Sequence, residues 1–203
     1  MAHRMENIFS ELEYEEETFN KLRCAEQGLH GREFYDCTFS DCSFREATLS
    51  SCKFDGCTFK GCDLSLVDVT NCVFVEVRFE ECQCVGINWT SADWSRLGII
   101  EPLNFHDCTL NHSIFMGVTL RKSKLINCLA ENVDFAEADL SEADCSGTNF
   151  LSAHFNQTNL TMANLENAVN YAIDLNHNMI RQARFTLPEA ISLLRGLDIV
   201  LKD

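Results

Sequence analysis

Residues 52–64 read CKFDGCTFKGCDL, with a bulky apolar side chain at Phe54, Phe59 and Leu64 and a cysteine two residues before each, at Cys52, Cys57 and Cys62. The period is five residues. A helix buries one face every ~3.6 residues and a half-buried strand every ~2, so neither template produces this spacing. A fixed short period marks a repeat architecture, and it has to be followed along the whole chain.

The register extends far beyond that stretch. Steps of five from Phe34 reach Phe39, Phe44, Leu49, Phe54, Phe59, Leu64, Val69, Phe74, Phe79, Cys84, Trp89 and Trp94, with no charged or amide side chain among them. Two residues before each stands a small or β-branched residue, except for Arg32 at the first step. After Trp94 the phase slips by one residue. It resumes at Phe105 and runs through Phe115, Phe135, Phe150 and Phe155 to Leu165, with Cys108, Ser113, Val118 and their successors at the small position.

One large and one small inward residue in every five describe a chain that turns a corner after each pentapeptide. Four sides close a square coil, so successive coils bond as parallel strands about 4.8 Å apart. The expected fold is all-β, a quadrilateral β-helix of ~26 repeats, about 6.5 coils and roughly 31 Å of rod. The chain of 203 residues is read as a single solenoid with covered ends. Its parts are an N-terminal cap (1–33), a first register (34–94), a phase-shift loop (95–104), a second register (105–185) and a C-terminal helix and strand (186–203). Residues 1–18 are acidic and form either a solvated arm or a first strand with a frayed start. Gly98 and Pro102 mark the loop, with Ile99 and Ile100 available to the core. Thr186 and Glu189 have the spacing of a capping box that opens a short helix, and Gly196 ends it. Leu187, Ala190, Ile191 and Leu194 form the apolar stripe of that helix, with Leu193 off the stripe; residues 197–201 read as a short strand. This element is more apolar than a cap requires, which makes the stripe a candidate dimer interface.

Composition excludes several classes of function. A net charge of −15 rules out non-specific nucleic-acid binding through a basic surface and points to solubility or a basic partner. No apolar run approaches the ~20 residues of a membrane span, and the acidic N-terminus does not read as a secretory signal; the chain is expected in the cytoplasm. Twelve cysteines invite a disulfide or zinc reading. Their register argues against both, because all fall at inward positions, and free cysteine packs as a small hydrophobe. The histidines are scattered, with His106 and His112 at neither helical nor coil spacing. No phosphate loop, HExxH or GxSxG occurs. Neither catalysis nor a cofactor or metal is expected on such a rod.

Charge placement carries more. On the side of the coil holding Phe34, Phe54, Phe74 and Trp94, the acids Glu33, Asp36, Asp55, Glu76 and Asp93 meet only Lys53. A second set, Glu131, Asp134, Glu137, Asp139, Glu142 and Asp144, has no base within its fourteen residues. Both sets are candidates for binding a basic partner.

The repeats, the mid-chain slip and the terminal helix resemble the pentapeptide-repeat family, and within it the topoisomerase-protecting proteins of the Qnr, MfpA and AlbG type. Residues 88–92 (NWTSA) and 183–190 (ARFTLPEA) look most like the albicidin-resistance branch typified by AlbG. The resemblance implies a right-handed coil and a C-terminal homodimer. It further implies a rod of DNA-like width and charge that engages DNA gyrase or topoisomerase IV and relieves poisoning by an inhibitor. The sequence lacks the two long loops of the Qnr pattern, which favours the immunity branch over quinolone protection. A passive interaction scaffold with an unrelated partner is the alternative.

Overall fold

The pentapeptide spacing becomes a square coil because of its corners. In the computed structural model, which describes residues 8–95, 103–197 and 199, each unit runs straight for about three residues and then turns. At most corners the residue two after the large inward side chain adopts a left-handed backbone, with φ of 51° at Asp36, 65° at Gly56 and 51° at Glu76. That conformation costs a non-glycine residue roughly 1–2 kcal/mol. Hydrogen bonds between coils offset it, such as Asp36 N–H to the Asp55 carbonyl (2.8 Å) and Thr58 N–H to the Cys37 carbonyl (2.9 Å).

The four sides follow in chain order. Side 1 carries Tyr14, Phe34, Phe54 and Phe74; side 2 carries Phe19, Phe39, Phe59, Phe79 and Phe105. Side 3 carries Cys24, Phe44, Leu64 and Cys84, and side 4 carries Leu29, Leu49, Val69, Trp89 and Phe115. All strand pairs are parallel, with Phe34 opposite Phe54 and Phe39 opposite Phe59. The rings on side 2 stack at centroid distances of 5.1, 4.7, 5.2 and 4.9 Å from Phe19 to Phe105. Such stacks add to the burial of large apolar area along the whole axis. The result is a mostly-β parallel solenoid of about 8 turns.

The cysteines lie where the register puts them: all twelve are free and buried. On side 3, Cys42, Cys62, Cys82, Cys108 and Cys128 form one column at the small position. Each thiol donates to a carbonyl of the preceding coil, as Cys62 Sγ does to Phe39 O (3.3 Å). Burial pushes the Cys24 thiol up to about 11 and Cys57 up to about 12.

Three features differ from the sequence expectation. First, regular coils begin before Phe34. Strand β1 (Glu13–Glu15) pairs with Glu33–Tyr35, and β2 (Thr18–Asn20) pairs with Thr38–Ser40. Glu17 hides this coil in the sequence by standing at a small inward position; in the terminal coil its side chain is exposed. Phe9 closes the core above it, with its ring against Tyr14, Phe19, Phe34 and Phe39. Second, the phase slip is a six-residue insertion between sides 1 and 2. Partners that stand 20 apart elsewhere stand 26 apart here, Phe79 opposite Phe105. Residues 96–102, with Gly98, Ile99, Ile100 and Pro102, lie outside the described residues.

Third, the C-terminal helix (Glu189–Leu197) is 3₁₀ rather than α. The capping box does not close on itself. Thr186 Oγ1 instead accepts from Asn167 N–H (3.0 Å) and Glu189 Oε1 from Asn170 N–H (2.8 Å), so both residues cap the last coil. With three residues per turn, positions i and i+3 eclipse. Ala190 and Leu193 therefore face the core, and Leu193 is buried. Most of the strand expected over 197–201 falls outside the described residues.

Candidate interaction surface

Outward side chains on a solenoid are positioned by their place in the pentapeptide. At the corner between sides 1 and 2, Glu16, Asp36, Gly56 and Glu76 stack in successive coils, and the three acids are exposed. Gly56 takes the same turn with φ of 65°, and a Cβ there would stand 2.1 Å from Oδ1 of the exposed Asp36 side chain, which would have to move. The corner column therefore presents carboxylates that the coil holds at fixed axial intervals. Glu13 and Glu15 lie on the same side in the coil of Glu16, a coil hidden in the sequence by the ambiguity of residues 1–18.

The other candidates on side 1 are tied down. Tyr35 Oη donates to Glu33, and this carboxylate raises the phenol above its ordinary range. Lys53 pairs with Asp55 at 2.9 Å and lies 4.5 Å over the Tyr35 ring. Asp93 Oδ1 accepts from Ser95 N–H (3.0 Å) and from its hydroxyl.

The second set does not form one patch. Residues 131–144 wrap around four sides of a single coil, because three pentapeptides turn three corners. Asp134, Asp139 and Asp144 each precede a large inward residue and accept the N–H two residues on, at 2.9, 2.9 and 3.1 Å. The next coil adds a second donor to each: His154 Nδ1 to Asp134 (3.3 Å), and Asn159 and Asn164 Nδ2 to Asp139 and Asp144 (both 2.9 Å). These aspartates shape the coil. Glu142 is held by Arg121, which lowers its pKa, with Lys122 at 3.8 Å; the bases absent from the local sequence arrive from the preceding coil. Glu131 is half-buried and Glu137 exposed.

Charge is divided unevenly along the rod. Residues 8–95 hold seventeen Asp and Glu against seven Lys and Arg, a net −10, whereas residues 103–197 hold ten against six, a net −4. At ~4.8 Å per coil, the first segment spans about 20 Å, or one net charge per ~2 Å. Duplex DNA carries one per ~1.7 Å.

The dimer candidates divide as well. Leu187 is 73% exposed and Ile191 49%, Leu194 is half-buried, and Ala190 packs against the core. Leu197 and Ile199 join the outward row, at 40% and 51% exposed. Ile191, Leu194, Pro188 and Ile199 contribute to a cleft of about 530 Å³ beside the helix. Among the described residues, no group of three potential ligands could hold a metal ion. No helix among them is long and apolar enough to cross a membrane.

The fold and the repeat define the class: the chain is a pentapeptide-repeat protein. The family profile for a pentapeptide repeat region matches residues 32–102, and that for pentapeptide repeats in eight copies matches residues 134–169. A trypsin-treated variant of QnrB1, a plasmid-mediated fluoroquinolone resistance protein, superposes with a TM-score of 0.69. It is 22% identical over 94% of this chain and 92% of its own. A second trypsin-treated QnrB1 variant gives 0.68 and 19%, over 94% of this chain and 100% of its own. At these identities the likeness is one of fold. No curated protein matches the chain in sequence.

Proposed function

We propose that this protein is a non-enzymatic DNA mimic of the cytoplasm that binds DNA gyrase, and topoisomerase IV by the same surface, and protects the enzyme from a poison. The observation that carries the reading is the charge of the first four coils, which approaches that of duplex DNA per unit length. The exposed column Glu16, Asp36 and Glu76 is its ordered part. A DNA-binding groove is basic, and a rigid acidic rod complements it by position and charge, with no single residue indispensable. The fold shared with QnrB1 and the likeness of residues 183–190 to the albicidin-resistance branch support the same enzyme as partner. The single six-residue insertion, in place of two long loops, favours the loop-poor immunity branch as the reading.

The outward row of exposed Ile191 and Leu197 with half-buried Leu194 supports a homodimer through the C-terminal cap, which would double the rod. Binding of purified gyrase to the immobilised protein, measured as salt rises, tests the reading. Affinity should fall steeply as the Debye length shrinks from ~10 Å at 0.1 M towards ~3 Å at 1 M. Absence of binding at low salt would leave a scaffold for an unrelated partner as the reading.

A further inference from the structure

The two ends of the solenoid are closed by different means. At the C-terminal end the 3₁₀ helix lies over the last coil and buries Leu193. At the N-terminal end β1 and β2 are the edge strands of their sheets, and among the described residues no strand pairs beyond them. Phe9 seals the apolar interior there, yet it is a plug and not a strand.

An open edge of parallel strands is a template for a further chain. This edge is marked against that use in two ways. Residues 11–17 hold five glutamates and no base, and all five are exposed. Glu17 also occupies the inward column that continues as Cys37, Cys57 and Val77, each fully buried. A coil stacked on this end would have to bury that carboxylate, and a buried unpaired charge is heavily penalised. Arg32 is the second charged residue at an inward position; its Nε donates to Phe9 O (3.2 Å) and its Nη1 to His30 O (2.7 Å), so it is spent holding the plug.

We propose that the first coil is a charge-guarded terminus, in which Glu13, Glu15 and Glu17 keep the N-terminal edge from pairing with the same edge of a second copy. Two identical ends meet about a two-fold axis, so each glutamate faces like charges. The proposal is independent of topoisomerase binding, and its readout is self-association.

Sedimentation equilibrium of the full chain in an Ile191→Glu background, which removes contacts through the cap, tests it. The E13Q/E15Q/E17Q variant should raise the association constant about tenfold or more, from three like-charge pairs at roughly 8 Å in water. The parent with its glutamates intact should associate more strongly at 1 M salt, where the Debye length is ~3 Å. A control that neutralises three glutamates away from this end, E46Q/E81Q/E137Q, should change nothing. An unchanged mass in either of the first two arms, or an equal gain in the control, overturns the proposal.

Discussion

Neutralising two sets of three carboxylates should have opposite consequences, because the fold uses the two sets differently. In the first set, Glu16→Gln, Asp36→Asn and Glu76→Gln, all three side chains are exposed at corners with φ of 53°, 51° and 51°. The changes keep side-chain shape and should alter stability by no more than ~0.5 kcal/mol each. An opposite charge ~7 Å away in water contributes ~0.6 kcal/mol, so loss of three such contacts comes to about 2 kcal/mol. Gyrase affinity should then fall roughly 20- to 30-fold. In the second set, Asp134→Ala, Asp139→Ala and Asp144→Ala, each change removes an acceptor of two hydrogen bonds, one local and one from the next coil. At ~1 kcal/mol for each such site, the triple variant should lose about 3 kcal/mol or more of stability. Its affinity should change less than that of the first set. Thermal denaturation and gyrase binding, measured on both variants, decide the matter. A second set that weakens binding as much as the first while leaving stability intact would refute the division of the acids into presented and structural groups.

Ser123 and Ser113 are both fully buried at small positions, yet only Ser113 is satisfied, donating to Cys84 O (2.8 Å) and accepting from Ile87 N–H (3.1 Å). Ser113→Ala should cost about 1–3 kcal/mol in denaturant unfolding and Ser123→Ala should be neutral or stabilising by ~1 kcal/mol; equal losses would contradict the packing described. Burial raises the thiols of Cys24, Cys57 and Cys145, to about 11, 12 and 12. The folded state thus holds protons that the unfolded chain releases near pH ~8.5, and stability should be constant below that value and fall as pH rises from there through 11–12. Cys57→Ala should flatten the alkaline loss, and a stability profile level from pH ~7 to ~11 would oppose the sign. Ile191→Glu should leave the fold intact and yield a monomer by sedimentation; a wild-type monomer would dispose of the cap dimer.

Much of the coil was legible because the pentapeptide writes its inward pair directly: Phe34 to Trp89 and Phe105 to Leu165 needed no partner to be placed. The N-terminal coil was not, since Tyr14 and Phe19 carry the phase while Glu17 contradicts it. Glu17 is tolerated there because its side chain is exposed, whereas Cys37, Cys57 and Val77 in the same column are buried. The terminal helix is legible in its place along the chain and not in its rotation. Leu187, Ala190, Ile191 and Leu194 form one stripe at 3.6 residues per turn, whereas the 3₁₀ geometry sends Leu193 inward and Ile191 out. The acids were legible as residues and not as roles. Asp139 and Asp36 look alike in the sequence; one precedes a large inward residue and bonds backbone, and the other follows one and meets solvent. Glu142 shows the remaining limit, because its bases Arg121 and Lys122 lie one coil away and are neighbours only once the coil closes.

Protection of gyrase is read out by supercoiling with the purified enzyme at a fixed, inhibitory concentration of a topoisomerase poison such as albicidin, titrated with the wild-type protein. Supercoiling should recover and poison-stabilised cleavage decline as the protein is added, and the Glu16, Asp36 and Glu76 triple variant should require about 20-fold more protein, from the same three lost charge contacts. Wild-type protein that neither binds gyrase nor alters poisoned cleavage would contradict that protection.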